Sequence, residues 1–139
     1  MKSTITIVLA IIMMSTLSVL TACSEPTGKP GNADEMTAGL LGAVNDVNFN
    51  KYRSYFAVEL QDQLGTEQEF IEEVSLVKET YGEYVTDSMS YLGVEATEDG
   101  QIKVNYTAEF TIVSDIQIQT TFEKRDGESV VVGFWLERQ

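Results

Sequence analysis

The apolar positions of this chain follow two different periods, and the change falls near Ser88. Before it, Met36, Leu40, Ala43, Val44 and Val47 recur every three to four residues and form one helical stripe. Asn32 opens that helix, and Glu35 stands three residues on, the spacing of a capping box. Gly39 and Gly42 interrupt the stripe, which fits close approach by another element. A shorter helical segment is expected over 49–56, carrying Tyr52, Tyr55 and Phe56, with an irregular continuation to Leu64 that Gly65 ends. Thr66 and Glu69 form a second capping box ahead of a third helix. Its inner face is Phe70, Ile71, Val74, Val77 and Tyr81, and Gly82 is its natural stop.

From Ser88 onward the period is two. Ile102, Val104, Tyr106, Ala108, Phe110 and Ile112 alternate with polar residues, the mark of a half-buried strand. Glu98-Asp99-Gly100 and Arg125-Asp126-Gly127 both suggest Asp-Gly hairpins. Two-residue loops fail on parity, because they set Val94 opposite Asn105 and Phe122 opposite Ser129. Three-residue loops instead pair Val94 with Val104, Leu92 with Tyr106, Ile118 with Phe134 and Ile116 with Leu136. They also align Glu95 with Lys103 and Lys124 with Glu128. Val113-Ser114-Asp115 is expected as the middle turn.

These elements predict an α+β fold, with about three N-terminal helices packed on one face of a curved four-stranded antiparallel meander. The opposite face then carries Thr107, Gln117, Gln119, Val131 and Trp135, a largely uncharged surface of the kind used for association. Trp135 is its expected anchor.

The N-terminal residues obey neither period. Lys2 precedes an apolar run over 5–20, which ends in Leu20-Thr21-Ala22-Cys23. That layout resembles the signal peptide and lipobox of bacterial lipoproteins. The resemblance implies a diacylglycerol thioether on Cys23, cleavage before it and acylation of the new amine. The rival readings are a transmembrane anchor, for which the run is short, or a plain signal peptide with an unmodified cysteine. On the lipoprotein reading, residues 1–22 are the signal peptide and 23–31 a lipidated tether, in which Pro26, Gly28, Pro30 and Gly31 resist helix and strand. Residues 32–139 form one α+β domain. Ser24 stands where lipoproteins retained at the inner membrane typically carry Asp, so a Gram-negative host implies the outer membrane, facing the periplasm. A Gram-positive host implies the extracellular face of the plasma membrane.

Charge and composition narrow the chemistry. The chain carries 22 acidic residues against 9 basic ones, and loss of Lys2 with the signal takes the net charge from −13 to −14. Such a surface opposes nucleic acid and peripheral adhesion to anionic lipid, and favours encounter with basic proteins. With no His there is no imidazole base or imidazole ligand, and lipidation of Cys23, the one cysteine, removes the thiolate. No phosphate loop, metal-ligand spacing or nucleophile–base pair is present, so no enzyme, cofactor or metal is expected. Glu67, Glu69, Glu72 and Glu73 complement the start of the third helix and need no cation to explain them. Tyr52, Tyr55 and Phe56, with the inward Tyr106 and Phe110, are the residues that would line a pocket between helices and sheet, and core packing is their plainer reading.

Residues 49–135 carry a second resemblance. The aromatic-rich Tyr52-Arg53-Ser54-Tyr55-Phe56, the helix entry Leu64-Gly65-Thr66-Glu67-Gln68-Glu69-Phe70 and the exit Tyr81-Gly82-Glu83-Tyr84 resemble the nuclear-transport-factor-2-like, or cone, fold. The style is similar to that of small exported bacterial proteins of unknown function. A cystatin-like arrangement is the alternative fold. The cone resemblance implies a scaffold that hosts enzymes, ligand carriers and dimerisation modules alike. Its enzymes often place a His or paired Asp in the pocket, and this chain has no His. The expected function is a membrane-tethered, non-enzymatic binding or assembly module, as a weak homodimer or with a basic protein partner. The alternatives are a small apolar ligand- or lipid-binding cone, and an acidic inhibitor or accessory subunit for a basic envelope protein.

Overall fold

The computed structural model describes residues 28–138, so Cys23 and the expected signal peptide lie outside the described residues. The order is α1 (Ala33–Asn45), α2 (Phe49–Ser54), α3 (Val58–Gln61), α4 (Glu67–Tyr81), then β1 (Ser90–Ala96), β2 (Ile102–Ala108), β3 (Ile116–Arg125) and β4 (Glu128–Arg138). The strands form one open antiparallel sheet in the order β1-β2-β3-β4. The fold is α+β, with two substantial helices and two short ones.

Helix α4 follows its sequence signals. The Thr66 hydroxyl accepts from the Glu69 N–H, and the Glu69 carboxylate accepts from the Thr66 N–H, closing the capping box. Gly82 ends the helix at φ +86, and an added Cβ there would strike Thr111 and the Ile112 backbone. The expected box at α1 is not formed. Asn32 makes no side-chain cap, and its amide instead reaches the Ser129 carbonyl at 3.3 Å. Val47 lies beyond α1 at φ +50 and is partly exposed, so it leaves the apolar stripe. Leu40, Ala43 and Val44 of that stripe are buried, joined by Ala33, Thr37 and Leu41. The second helical segment breaks after Ser54 because Phe56 bridges to Val131 and the Ala57 N–H donates to the Val131 carbonyl at 3.0 Å.

The first hairpin has the expected three-residue loop. Thr97 N–H donates to the Gln101 carbonyl, Gly100 sits at φ +77, Val94 faces Val104 and Glu95 faces Lys103. Leu92, however, is an extra residue in a bulge, which puts Tyr91 opposite Tyr106 and leaves Leu92 54% exposed.

The other two connections correct the expectation. The middle loop spans the seven residues between Ala108 and Ile116, which face each other. Residues 110–112 turn away from β3 to pair with the segment after α4, through a Tyr84–Phe110 bridge and the Ile112 N–H on the Tyr81 carbonyl. The last hairpin has a two-residue loop, with Asp126 at φ +51, Gly127 at φ +83, and Arg125 facing Glu128. Parity is restored by a bulge at Val132, since Phe122 faces Val131 while Thr121 faces Gly133. Thr120, Ile118 and Ile116 therefore face Phe134, Leu136 and Arg138, and Lys124 faces Ser129.

The core lies between the helices and the inner face of β2–β4. Tyr52 packs its ring 4.9 Å from Phe70 and edge-on to Phe134. Asn45 pins the chain leaving α4, donating to the Tyr84 carbonyl and accepting from its N–H. Lys78 donates to the Asn45 carbonyl at 2.8 Å, placing a cation at the C-terminal end of α1.

Candidate functional site

Alternation along β2, β3 and β4 sends every second side chain to the outer face of the sheet. Register then sets these residues in cross-strand rows. The central row is Gly93, Asn105, Gln119 and Trp135, flanked by Lys103, Thr121 and Gly133 on one side and by Thr107, Gln117 and Glu137 on the other. The central row carries no charge, and in the row beside it Lys103 stands opposite Glu95 of the edge strand. The Lys103 ammonium lies 5.7 Å from the centre of the Trp135 ring, a cation–π contact that holds the indole against the sheet. Gln119 donates from Nε2 to Asn105 Oδ1 at 2.7 Å and is only 9% exposed. Its Oε1 is buried with no hydrogen-bond partner, a polar group that an incoming donor can satisfy. Thr121 is 5% exposed beside Gly133, where the missing side chain leaves room. Unusually for a solvent-facing sheet surface, the middle of this face is close-packed and nearly free of charge.

Of the expected interface residues, Thr107, Gln117, Gln119 and Trp135 share this face. Val131 does not. The Val132 bulge moves it inward opposite Phe122, where it is fully buried.

The aromatic residues expected around a pocket are dispersed through the core. Tyr52 and Phe56 join Phe70 and Phe134, whereas Phe110 packs edge-on to Tyr81 and tilted against Tyr84 at the other end. Tyr55 lies over Gly39 of α1, so the glycine permits the close approach expected of it. Tyr106 is buried against α1, and its hydroxyl donates to Asp34 Oδ1 at 2.7 Å. The interior cavity among Val44, Phe70, Val77, Phe134 and Leu136 measures about 10 Å³, room for a single water. Glu73 borders it with a buried, unpartnered oxygen, and the Tyr52 hydroxyl is also buried without a partner. Burial, then the neighbouring Glu69, pushes the Glu73 carboxyl above its ordinary range. Burial likewise raises the Tyr52 phenol, with Glu73 adding to it.

One cluster has no local signal in the sequence. Asp34 accepts from Tyr106 and from Lys29 at 2.9 Å, and the same ammonium sits 4.6 Å from the Tyr91 ring centre. The Lys29 and Tyr106 hydrogen bonds hold the Asp34 carboxyl below its ordinary range. This clasp fixes the segment before α1 to β1 and β2, and its partners are up to 72 residues apart.

Among the described residues, no group of three metal-ligating side chains converges, and no helix is long and apolar enough to cross a membrane. No family model matches the chain, and no curated protein or solved structure matches it either.

Proposed function

We propose that this chain is a lipid-anchored, non-enzymatic assembly module of the cell envelope, built on a cone-type domain that takes a protein partner on its outer sheet face. The observation that carries the reading is that face: its central row is uncharged and close-packed, with Trp135 beside a buried amide oxygen that lacks a donor. Tryptophan in such a setting is a frequent energetic anchor. Glu95, Glu123 and Glu137 stand at the margins of the uncharged rows, so repulsion between like copies acts at the rim. The helices-then-meander order supports the cone assignment, and Leu20-Thr21-Ala22-Cys23 supports the anchor. An interior ligand site gains no support from a cavity of about 10 Å³. The absence of His and of a second cysteine supports a role without catalysis.

Analytical ultracentrifugation of the full chain in a nonionic detergent tests the outer face. The expected result is a concentration-dependent mass that Trp135→Ala abolishes while the far-UV spectrum and melting curve persist. A strictly monomeric wild type at high concentration would overturn self-association. The anchor is tested separately by fractionating host cells expressing Cys23→Ser: membrane recovery equal to wild type would remove lipidation as the means of attachment.

A further inference from the structure

The opposite end of the strands carries a second cavity, of about 350 Å³, away from the outer face. One wall is the segment before α1, Gly28 to Gly31, and the other is the two hairpin ends at Gly100 and Gly127. Ile102 and Phe122 form its apolar floor. Its volume lies in the range of small-molecule sites, roughly 300–1,000 Å³, unlike the water-sized void in the core.

Three features give this cavity a chemical preference. The first is charge. Acidic residues outnumber basic ones 22 to 9 along the chain, yet the two charged residues lining this cavity are Lys29 and Lys124. Lys29 is held in place by Asp34 and Tyr91, while Lys124 makes no ion pair among the described residues. The Lys29 ammonium is already paired with the Asp34 carboxylate, so Lys124 supplies the uncompensated charge at this cavity, which repels cations and favours an anion. The second is bare backbone. At Gly28, Gly31, Gly100 and Gly127 an added Cβ would meet nothing within 4 Å, so each presents main chain directly to open space. Glycine at such positions lets a ligand approach the backbone closely. The third is the floor, which offers apolar contact below the lysines and Ser129. An anionic head with an attached carbon chain matches all three, whereas a purely hydrophilic anion leaves the floor unused.

We propose that this cavity binds a phosphate-bearing amphiphile, with Lys124 on the phosphate and the first carbons of the chain over Ile102 and Phe122. The source is the membrane surface, a choice that rests on the lipid-anchor reading. Cys23 precedes Gly28 by five residues, so the anchor lies within about 18 Å of chain from the cavity mouth. Recognition by Lys124 and the floor is independent of that reading.

The test is a titration of the ¹⁵N-labelled full chain in a maltoside detergent, following the amide signals of Gly31, Gly100 and Gly127. The probes are octyl phosphate, inorganic phosphate and octyltrimethylammonium. The expected result is saturable shifts of these glycines with octyl phosphate, at least about tenfold tighter than with inorganic phosphate. The cationic probe leaves them unmoved. Lys124→Glu weakens octyl phosphate binding about tenfold or more with the rest of the spectrum unchanged, and Lys124→Arg restores it. Equal affinity for the two phosphates overturns the amphiphile and leaves a free anion site. Equal response to anionic and cationic probes, or no loss in Lys124→Glu, overturns the site altogether. Cys23→Ser retains octyl phosphate binding in either case, so failure of the anchor reading is read separately.

Discussion

Thr37 and Thr120 share a hydrogen bond of 2.8 Å inside the core, joining α1 to the middle of β3 where both residues are fully buried. The Thr37 hydroxyl also engages the Tyr106 phenol, so Thr120 depends on Thr37 more than Thr37 depends on it. Thr37→Val strands the Thr120 hydroxyl and is expected to cost about 1–3 kcal/mol. Replacing both by Val removes both polar groups and should recover much of that loss. Denaturant unfolding of the two single variants and the double variant measures the coupling, and strictly additive losses would contradict the pairing.

Gly39 and Tyr55 predict a change of sign. A methyl at Gly39 collides with the Tyr55 ring, so Gly39→Ala should destabilise the wild-type protein. With Tyr55→Ala in the background the clash is gone, and the same substitution should stabilise by about 0.8–1 kcal/mol through helix propensity. Melting curves of the four proteins decide it.

Gly100 and Gly127 both hold positive φ and meet nothing that a methyl would displace. Alanine at either should therefore cost about 1 kcal/mol in backbone strain alone, whereas Gly28→Ala should leave the melting temperature unchanged. Equal melting temperatures for all three variants would contradict the turn geometry.

Two carboxyls should give opposite pH dependence. Asp34 has a lowered pKa in the folded state, set first by Lys29 and then by Tyr106. Its contribution to stability is present above the unfolded aspartate value, about 3.9, and is lost as pH falls through the depressed folded value. Asp34→Asn should flatten the acid limb of the stability curve there. Glu73 has a raised pKa, caused first by burial. Stability linked to it is full below the unfolded glutamate value, about 4.3, and is lost as pH rises through the raised folded value. Glu73→Gln should thus be more stable than wild type at pH 7, with the advantage shrinking toward pH 4. Urea titrations at pH 7 and pH 4 check Glu73, and a series running below pH 4 checks Asp34.

Where the deciding interaction is local, the sequence is a good guide. Thr66, Glu69 and Gly82 bound α4 because capping uses neighbours three or four residues away. Gly100 places the first hairpin for the same reason. The register of β4 is different. Parity counting favours a three-residue loop at Gly127, but the chain keeps the tight turn and corrects its parity at Val132. That bulge lies next to the Val131 carbonyl, which Ala57 engages from the helical layer, some seventy residues earlier in the chain. The long middle loop likewise answers to Tyr81 and Tyr84, not to its own residues. The outer face is mostly legible, since alternation alone places Thr107, Gln117 and Gln119 together. The cavity at the hairpin ends is not, because four separated stretches meet there and only the register brings them together.

The Lys29–Asp34 clasp also defines a load path. A pull on the chain ahead of Gly28 meets the ion pair first, with both side chains partly exposed, a class of contact worth only about 0–1 kcal/mol. The next peg is the Asn32 amide on the Ser129 carbonyl. Behind these stand α1 and the buried Thr37–Thr120 pair, which yield only with the core. Giving way at the first two pegs pays out residues 28–32, about 17 Å of extended chain, while the sheet and its outer face stay intact. The domain is thus hung on a sacrificial link, one that lengthens under small forces before anything that carries the fold begins to stretch.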